Sequence, residues 1–165
     1  MVDFFPEKIA AVLTRHRVAC VYIGGFAAFI HGSPLPTDDI DIVPETSAEN
    51  YSRLSAALTE LEARVRAEGI DPLTFSHDAD SLAAVRIWNL TTKYGNLDIT
   101  VQPSGTQGYA DLQREATAAE LDGVRIQLAS LNDIVRSKEA AGRDKDRRAL
   151  PVLRELLARQ LRERR

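Results

Sequence analysis

Cysteine is almost absent from this chain. Cys20 stands alone, so no internal disulfide can form and packing must hold the fold together. A single thiol also fits a reducing, cytoplasmic setting, which is the expected location. Long apolar runs are missing too. None approaches the roughly 20 residues that a bilayer-spanning helix needs, so no membrane role is expected. The first residues, Met1-Val2-Asp3-Phe4-Phe5-Pro6-Glu7, lack a basic stretch leading into an apolar one, and no signal peptide is expected. Positive charge is not in excess. Lys and Arg number 21 against 24 Asp and Glu, a net charge of −3, which argues against nucleic-acid binding driven by bulk charge. Arg154, Arg159, Arg162, Arg164 and Arg165 do make the C-terminus locally basic, as suits the end of a solvated helix. His16 and His77 are isolated and offer no metal-ligand spacing. Repeats and low-complexity segments are absent.

What is present is an ordinary globular composition. The chain has 165 residues, 44% hydrophobic and 27% charged, enough for one domain with its own core and a small helical appendage. Ile9, Val12 and Leu13 recur at helical spacing and predict a helix over 4–15, with Asp3 as its cap ahead of Pro6. Residues 18–23 read as a short buried strand broken by Gly24-Gly25, and Phe26 to Ile30 resume a helical composition up to His31-Gly32. Ser33-Pro34-Leu35-Pro36 is a loop. Residues 39–43 alternate as a strand. The clearest helix spans 47–67, with Leu54, Leu58 and Leu61 as its stripe and Ser47 as a cap. Strands follow at 82–90 and 96–102 around a turn at Lys93-Tyr94-Gly95-Asn96, and another at 124–129. Two helices, 131–141 and 145–163, close the chain on either side of Gly142, with Pro151 marking a kink or a first turn. The expected fold is α/β (α+β): a mixed sheet flanked by helices, with a core over 1–129 and a helical C-terminal segment over 130–165.

Chemistry concentrates between Gly24 and Val43. Side chains two apart on a strand share a face, so Asp39 and Asp41 present two carboxylates side by side while Ile40 and Ile42 turn inward. Close anions need protons or cations, and a hard divalent ion with oxygen ligands, Mg²⁺ or Mn²⁺, is the natural partner. Asp98, between Leu97 and Ile99, offers a third carboxylate if its strand lies alongside. Three carboxylates suit a two-metal site, in which the metals activate an attacking hydroxyl and stabilise the leaving pyrophosphate. Gly24 and Gly25, without Cβ atoms and ahead of a helix, allow the backbone to approach a triphosphate. Either element alone is commonplace; their order and spacing give the pattern its weight.

This constellation resembles the nucleotidyltransferase superfamily related to DNA polymerase β: an apolar residue, Gly-Gly or Gly-Ser, a spacer, Asp-x-Asp and a later strand acid. Within it the stretch resembles the AbiEii-like and MenT-like toxin enzymes through Gly24, Gly25, Ala27, His31, Gly32, Thr37, Asp39 and Asp41, and again through Leu131 to Asp146 with its Lys, Gly-Arg and Lys-Asp elements. It departs at Leu35, where those relatives carry an arginine, and at Ala149, where they carry an acid. The resemblance implies transfer of a nucleoside monophosphate from an NTP, such as ATP, to an acceptor hydroxyl, with pyrophosphate released. Asp39, Asp41 and Asp98 would hold the metal, and Asp98 would act as or orient the base. Gly24, Gly25 and Thr37 would contact the triphosphate, Lys138 would neutralise it, and Arg143 and Asp146 would line the cleft. The implied acceptor is RNA, a tRNA 3′ end first, with a protein or small antibiotic-type molecule as alternatives. The toxin-type resemblance also implies a cognate antitoxin partner. An inactive interaction module of the same fold is the third reading.

Overall fold

The structure is a computed structural model that describes residues 3–165. Its elements run α1 (Pro6–Arg15), β1 (Cys20–Ile23), α2 (Gly24–Ile30), β2 (Asp39–Pro44), α3 (Ala48–Glu60), β3 (Arg64–Val65), α4 (Ala79–Ala83), β4 (Ile87–Thr92), β5 (Gly95–Thr100), α5 (Tyr109–Arg114), β6 (Thr117–Leu121), β7 (Val124–Leu128), α6 (Leu131–Ala141) and α7 (Asp144–Glu163). Among the described residues the strands form one seven-stranded sheet in the order β3-β4-β5-β2-β1-β7-β6. The two parallel pairings, β2 with β5 and β1 with β7, sit among antiparallel ones, so the sheet is mixed as expected.

Strict alternation organises the centre. On β2 and β5 the residues Ile40, Ile42, Leu97 and Ile99 are at most 1% exposed, while Asp39, Asp41 and Asp98 take the opposite face and stay partly open. Burying each of those aliphatic side chains contributes about 1.5–3 kcal/mol, so the hydrophobic set fixes the register and the register fixes where the acids point. Asn50 of α3, 1% exposed, ties that layer together. Its Oδ1 accepts from the Ala19 N–H at 2.7 Å, and its Nδ2 donates to the carbonyls of Ala19 at 2.9 Å and Glu45 at 2.8 Å.

Several boundaries differ from the sequence expectation. Phe5, not Asp3, is the N-cap of α1: its carbonyl accepts the first helical bonds, from the Lys8 N–H at 3.0 Å and the Ile9 N–H at 3.3 Å, and its own N–H donates to the Tyr94 carbonyl at 2.8 Å. The helix expected over 47–67 stops at Glu60, where Glu62 turns left-handed (φ 52°) and the chain leaves to pair as an edge strand with β4. The strand expected from 82 begins at Ile87, since Asp78 and Ser81 form a capping box that starts the short α4 instead. The hairpin β6–β7 was not anticipated, although Asp122-Gly123, both at positive φ, is a known hairpin signal. Helix α5 was also missed. Pro151 is not a first turn: α7 runs from Asp144 through it to Glu163, with Arg147 and Pro151 both on the exposed side where water can serve the carbonyl that lacks a donor.

Candidate active site

The acids converge through sheet geometry. Asp41 and Asp98 are direct partners across the parallel β2–β5 pair, and Asp39 sits two residues earlier on the same face. One carboxylate oxygen from each of the three lies within 4.8 Å of the others. Burial, with Asp39 and Asp98 alongside, pushes the Asp41 carboxyl up to about 7, while Lys145 and Lys138 pull it down. Asp39 is raised by burial, by Asp98 and by Asp38, against Lys145 and Arg66. Three hard oxygen donors in reach of one another, two of them held above the usual carboxylate range, are the donor set and the charge deficit that a Mg²⁺ or Mn²⁺ ion would satisfy.

Gly24 has a local reason to be glycine. It follows β1 directly with φ +77°, and a Cβ there would sit 2.3 Å from Asp41 Oδ2. The Gly24 backbone therefore lies against the carboxylate itself. Gly25 is less constrained. A Cβ on it would meet Thr37 Oγ1 at 3.5 Å, an ordinary contact. The Thr37 hydroxyl donates to the Asp39 carbonyl at 3.3 Å, which anchors the loop where it enters β2.

The C-terminal helices bring in the cations. Lys138 of α6 contacts Asp146 Oδ1 at 3.4 Å, and Arg143 grips the same carboxylate through Nε at 2.7 Å and Nη2 at 3.2 Å. Asp146 is 0% exposed. Burial alone would raise it, but the hydrogen bonds and charge of Arg143, with Lys138, hold it below its ordinary value. Asp146 thus joins α6 to α7 as a buried clamp. Gly142, in the left-handed conformation (φ 60°), makes the turn that lets the two helices meet there.

Two residues near the acids were missed in the sequence. Lys145 acts on both Asp39 and Asp41; it belongs to the Lys-Asp pair whose aspartate alone had been given a role. Arg66, just beyond the edge strand β3, donates from Nη2 to Asp98 Oδ1 at 2.7 Å. No motif marks it, because sheet pairing and not sequence proximity brings it there. Other aromatic and histidine side chains have partners within the fold. His31 caps α2 and its Nε2 lies 2.9 Å from the Ala129 carbonyl. Trp88 donates from Nε1 to the Leu82 carbonyl at 3.2 Å and packs on Phe75. Tyr94 packs under Lys8 and Lys93. His16 meets Glu60, and His77 meets Ser55.

No family model and no curated protein matches the chain. Solved structures do. The Thermotoga maritima protein TM1012, assigned as a nucleotidyltransferase, superposes with a TM-score of 0.57 at 19% identity, covering 98% of this chain and 97% of its own. The lincosamide antibiotic adenylyltransferase LnuA with lincomycin bound gives 0.62 at 13% identity, over 93% of this chain and 99% of that one. The antibiotic-resistance factor ANT(2″)-Ia in complex with adenylyl-2″-tobramycin gives 0.55 at 18% identity, over 91% and 86%. These neighbours do not bear out the toxin-type resemblance expected from the sequence. In architecture this chain has the nucleotidyltransferase fold.

Proposed function

We propose that the chain is a metal-dependent nucleotidyltransferase that moves a nucleoside monophosphate from an NTP to the hydroxyl of a small-molecule acceptor. The observation that carries this reading is the register of Asp41 with Asp98, which with Asp39 gathers three carboxylates beside Gly24 and within the field of Lys145 and Lys138. A divalent ion held by Asp39 and Asp41 would supply Lewis acidity at the phosphoryl oxygens. Asp98 takes the proton of the acceptor hydroxyl as its oxygen bonds to the α-phosphorus, and the bond to the β-phosphate breaks to release pyrophosphate. Lys138 and Lys145 offset the triphosphate charge, with Gly24, Gly25 and Thr37 forming the wall against which it lies. Arg143 and Asp146 hold the helical segment 130–165 in place to close the cleft over the core 1–129. What favours a small-molecule acceptor is that two of the neighbours are antibiotic-modifying proteins, one lincomycin-bound and one in complex with adenylyl-2″-tobramycin.

The tRNA 3′ end, first among the acceptors implied by the sequence, has no comparable support, and neither has an antitoxin partner. Incubation with each α-labelled NTP and Mg²⁺, with lincomycin, tobramycin and total tRNA in separate tubes, tests the choice. Label on a small molecule that disappears with the Asp39→Ala, Asp41→Ala variant is the expected result. Label confined to tRNA would replace the acceptor, and label transferred equally by the variant would end the proposed mechanism.

A further inference from the structure

Arg66 is placed to do more than decorate the sheet edge. Its backbone N–H donates to the Asn89 carbonyl at 2.9 Å, continuing the β3–β4 pairing by one residue. Its side chain then crosses β4, giving Nη1 to the Leu90 carbonyl at 2.5 Å and Nη2 to Asp98 Oδ1 at 2.7 Å. Asn89 is the cross-strand partner of Asp98, and Asp98 of Asp41, so the guanidinium enters the row of acids from its outer end. The ion pair is sheltered: the Arg66 side chain is 31% exposed and that of Asp98 16%. A guanidinium is charged at every relevant pH, and its fixed fork holds a carboxylate in one orientation.

We propose that Arg66 is a positioning residue that stands in for one cation at the acid cluster, so that the nucleotide-free site takes a single divalent ion. This rests on the metal-centre reading above. Three ionised carboxylates and one guanidinium leave two negative charges, the charge of one such ion. Arg66 also occupies Asp98 Oδ1, which leaves that residue one oxygen for the ion or the acceptor hydroxyl. Asp39 and Asp41 carry no comparable partner and become the principal ligands. Lys138 is engaged with Asp146, and Lys145 stands solvated.

Titration of the full chain with Mn²⁺ in the absence of nucleotide, followed by electron paramagnetic resonance of free Mn²⁺ and by calorimetry, reads the stoichiometry directly. One ion per chain is expected for the natural protein. Arg66→Ala should bind two, the second within about tenfold of the first in affinity because a neighbouring cation no longer repels it. Arg66→Gln, which keeps a donor for the Leu90 carbonyl, should likewise bind two and covers the case in which the alanine variant folds poorly. Arg66→Lys, with its charge retained, should return to one. Two ions in the natural protein, both lost in Asp41→Asn, would overturn the role of Arg66 and leave the transferase reading standing. A single ion in both neutral variants would overturn it as well. No ion in any form would overturn both.

Discussion

Asp41 and Asp146 are the same residue type in two enclosed places less than a domain apart, and their carboxyls move in opposite directions. Burial, Asp39 and Asp98 push Asp41 up to about 7. Asp146, with no exposed surface, is held below its ordinary value because Arg143 and Lys138 outweigh its burial. The difference is the company each keeps. Asp146 has its cations built into the chain within hydrogen-bonding distance. Asp41 has two more acids and only the field of lysines farther off. One cluster is finished by the fold itself, and in the function proposed above the other is left for a metal ion to complete. Desolvation of a charge costs several kcal/mol wherever it occurs, and a folded chain leaves that cost uncompensated mainly where a ligand will arrive.

The sharpest way to break the comparison is to remove each acid in turn. Asp41→Ala should cost about 10³-fold or more in nucleotidyl transfer, since the several kcal/mol of charge stabilisation supplied by a bound metal goes with its ligand. The same change should raise, not lower, the melting temperature in EDTA at pH 8, because it deletes an anion that the fold does not compensate. Asp146→Ala should do the reverse. It leaves Lys138, 15% exposed, without its partner while Arg143, 60% exposed, can turn to water, and should cost about 1–2 kcal/mol of folding stability. Thermal unfolding of both variants with and without Mg²⁺ checks the pair. If both aspartates destabilised equally in EDTA, the distinction between a finished and an unfinished cluster would collapse.

The two clusters were not equally legible in the sequence. Asp39 and Asp41 could be placed on one face of a strand because Ile40 and Ile42 alternate with them, a local pattern. Asp98 required only that its strand lie next to theirs. Asp146 stood in the same motif as Lys138 and Arg143, yet its burial could not be read there. A helix-surface pair and an inter-helix clamp look alike until the turn at Gly142 folds one helix onto the other. Arg66 was invisible for a stronger reason. The stripe Leu54, Leu58, Leu61 suggested a helix reaching 67, whereas the edge of β4 captured Arg64 and Val65 as a strand and delivered Arg66 to Asp98. Long-range pairing decided that segment over local propensity. The central strands and the helices α1, α3, α6 and α7, with strong periodicity, came through. The short elements α4, α5 and β6 carry few residues each and were lost.

A milder test uses pH. The Asp41 carboxyl ionises near 3.8 when unfolded and at about 7 when folded, so its raised value means that the folded state binds the extra proton between these limits. The stability associated with that proton is fully present below about 4 and is lost as pH rises toward 7, by up to about 1.4 kcal/mol per pH unit. In EDTA the unfolding free energy should therefore fall across this window, and saturating Mg²⁺ should flatten the fall, since the ion binds the ionised form. Asp146 contributes a trend of the opposite sign, but its stability is lost only as pH falls below about 4, outside this window, so it leaves the metal-sensitive slope untouched. Denaturant titrations at pH 5, 6, 7 and 8 would reveal it. A slope indifferent to Mg²⁺ would remove Asp41 as its source.

The smallest expected effect concerns Lys145, which stands between the two clusters without belonging to either. It lowers both Asp39 and Asp41, yet its side chain is exposed, so water and salt screen what it does. If it serves the triphosphate, Lys145→Gln should weaken NTP·Mg²⁺ binding about three- to tenfold, the scale of one partly screened charge, and leave folding stability within about 0.5 kcal/mol. The two roles separate by salt. A contact made through water-screened charge should fade as NaCl rises from 50 to 500 mM, so that natural protein and variant converge. Lys138 gives the contrast. It is 15% exposed and held against Asp146, so the loss from Lys138→Gln should persist at high salt and should carry a stability cost as well. Equal salt sensitivity in the two variants would mean that Lys138 reaches the nucleotide as freely as Lys145 does, and that the Asp146 clamp yields when the triphosphate binds.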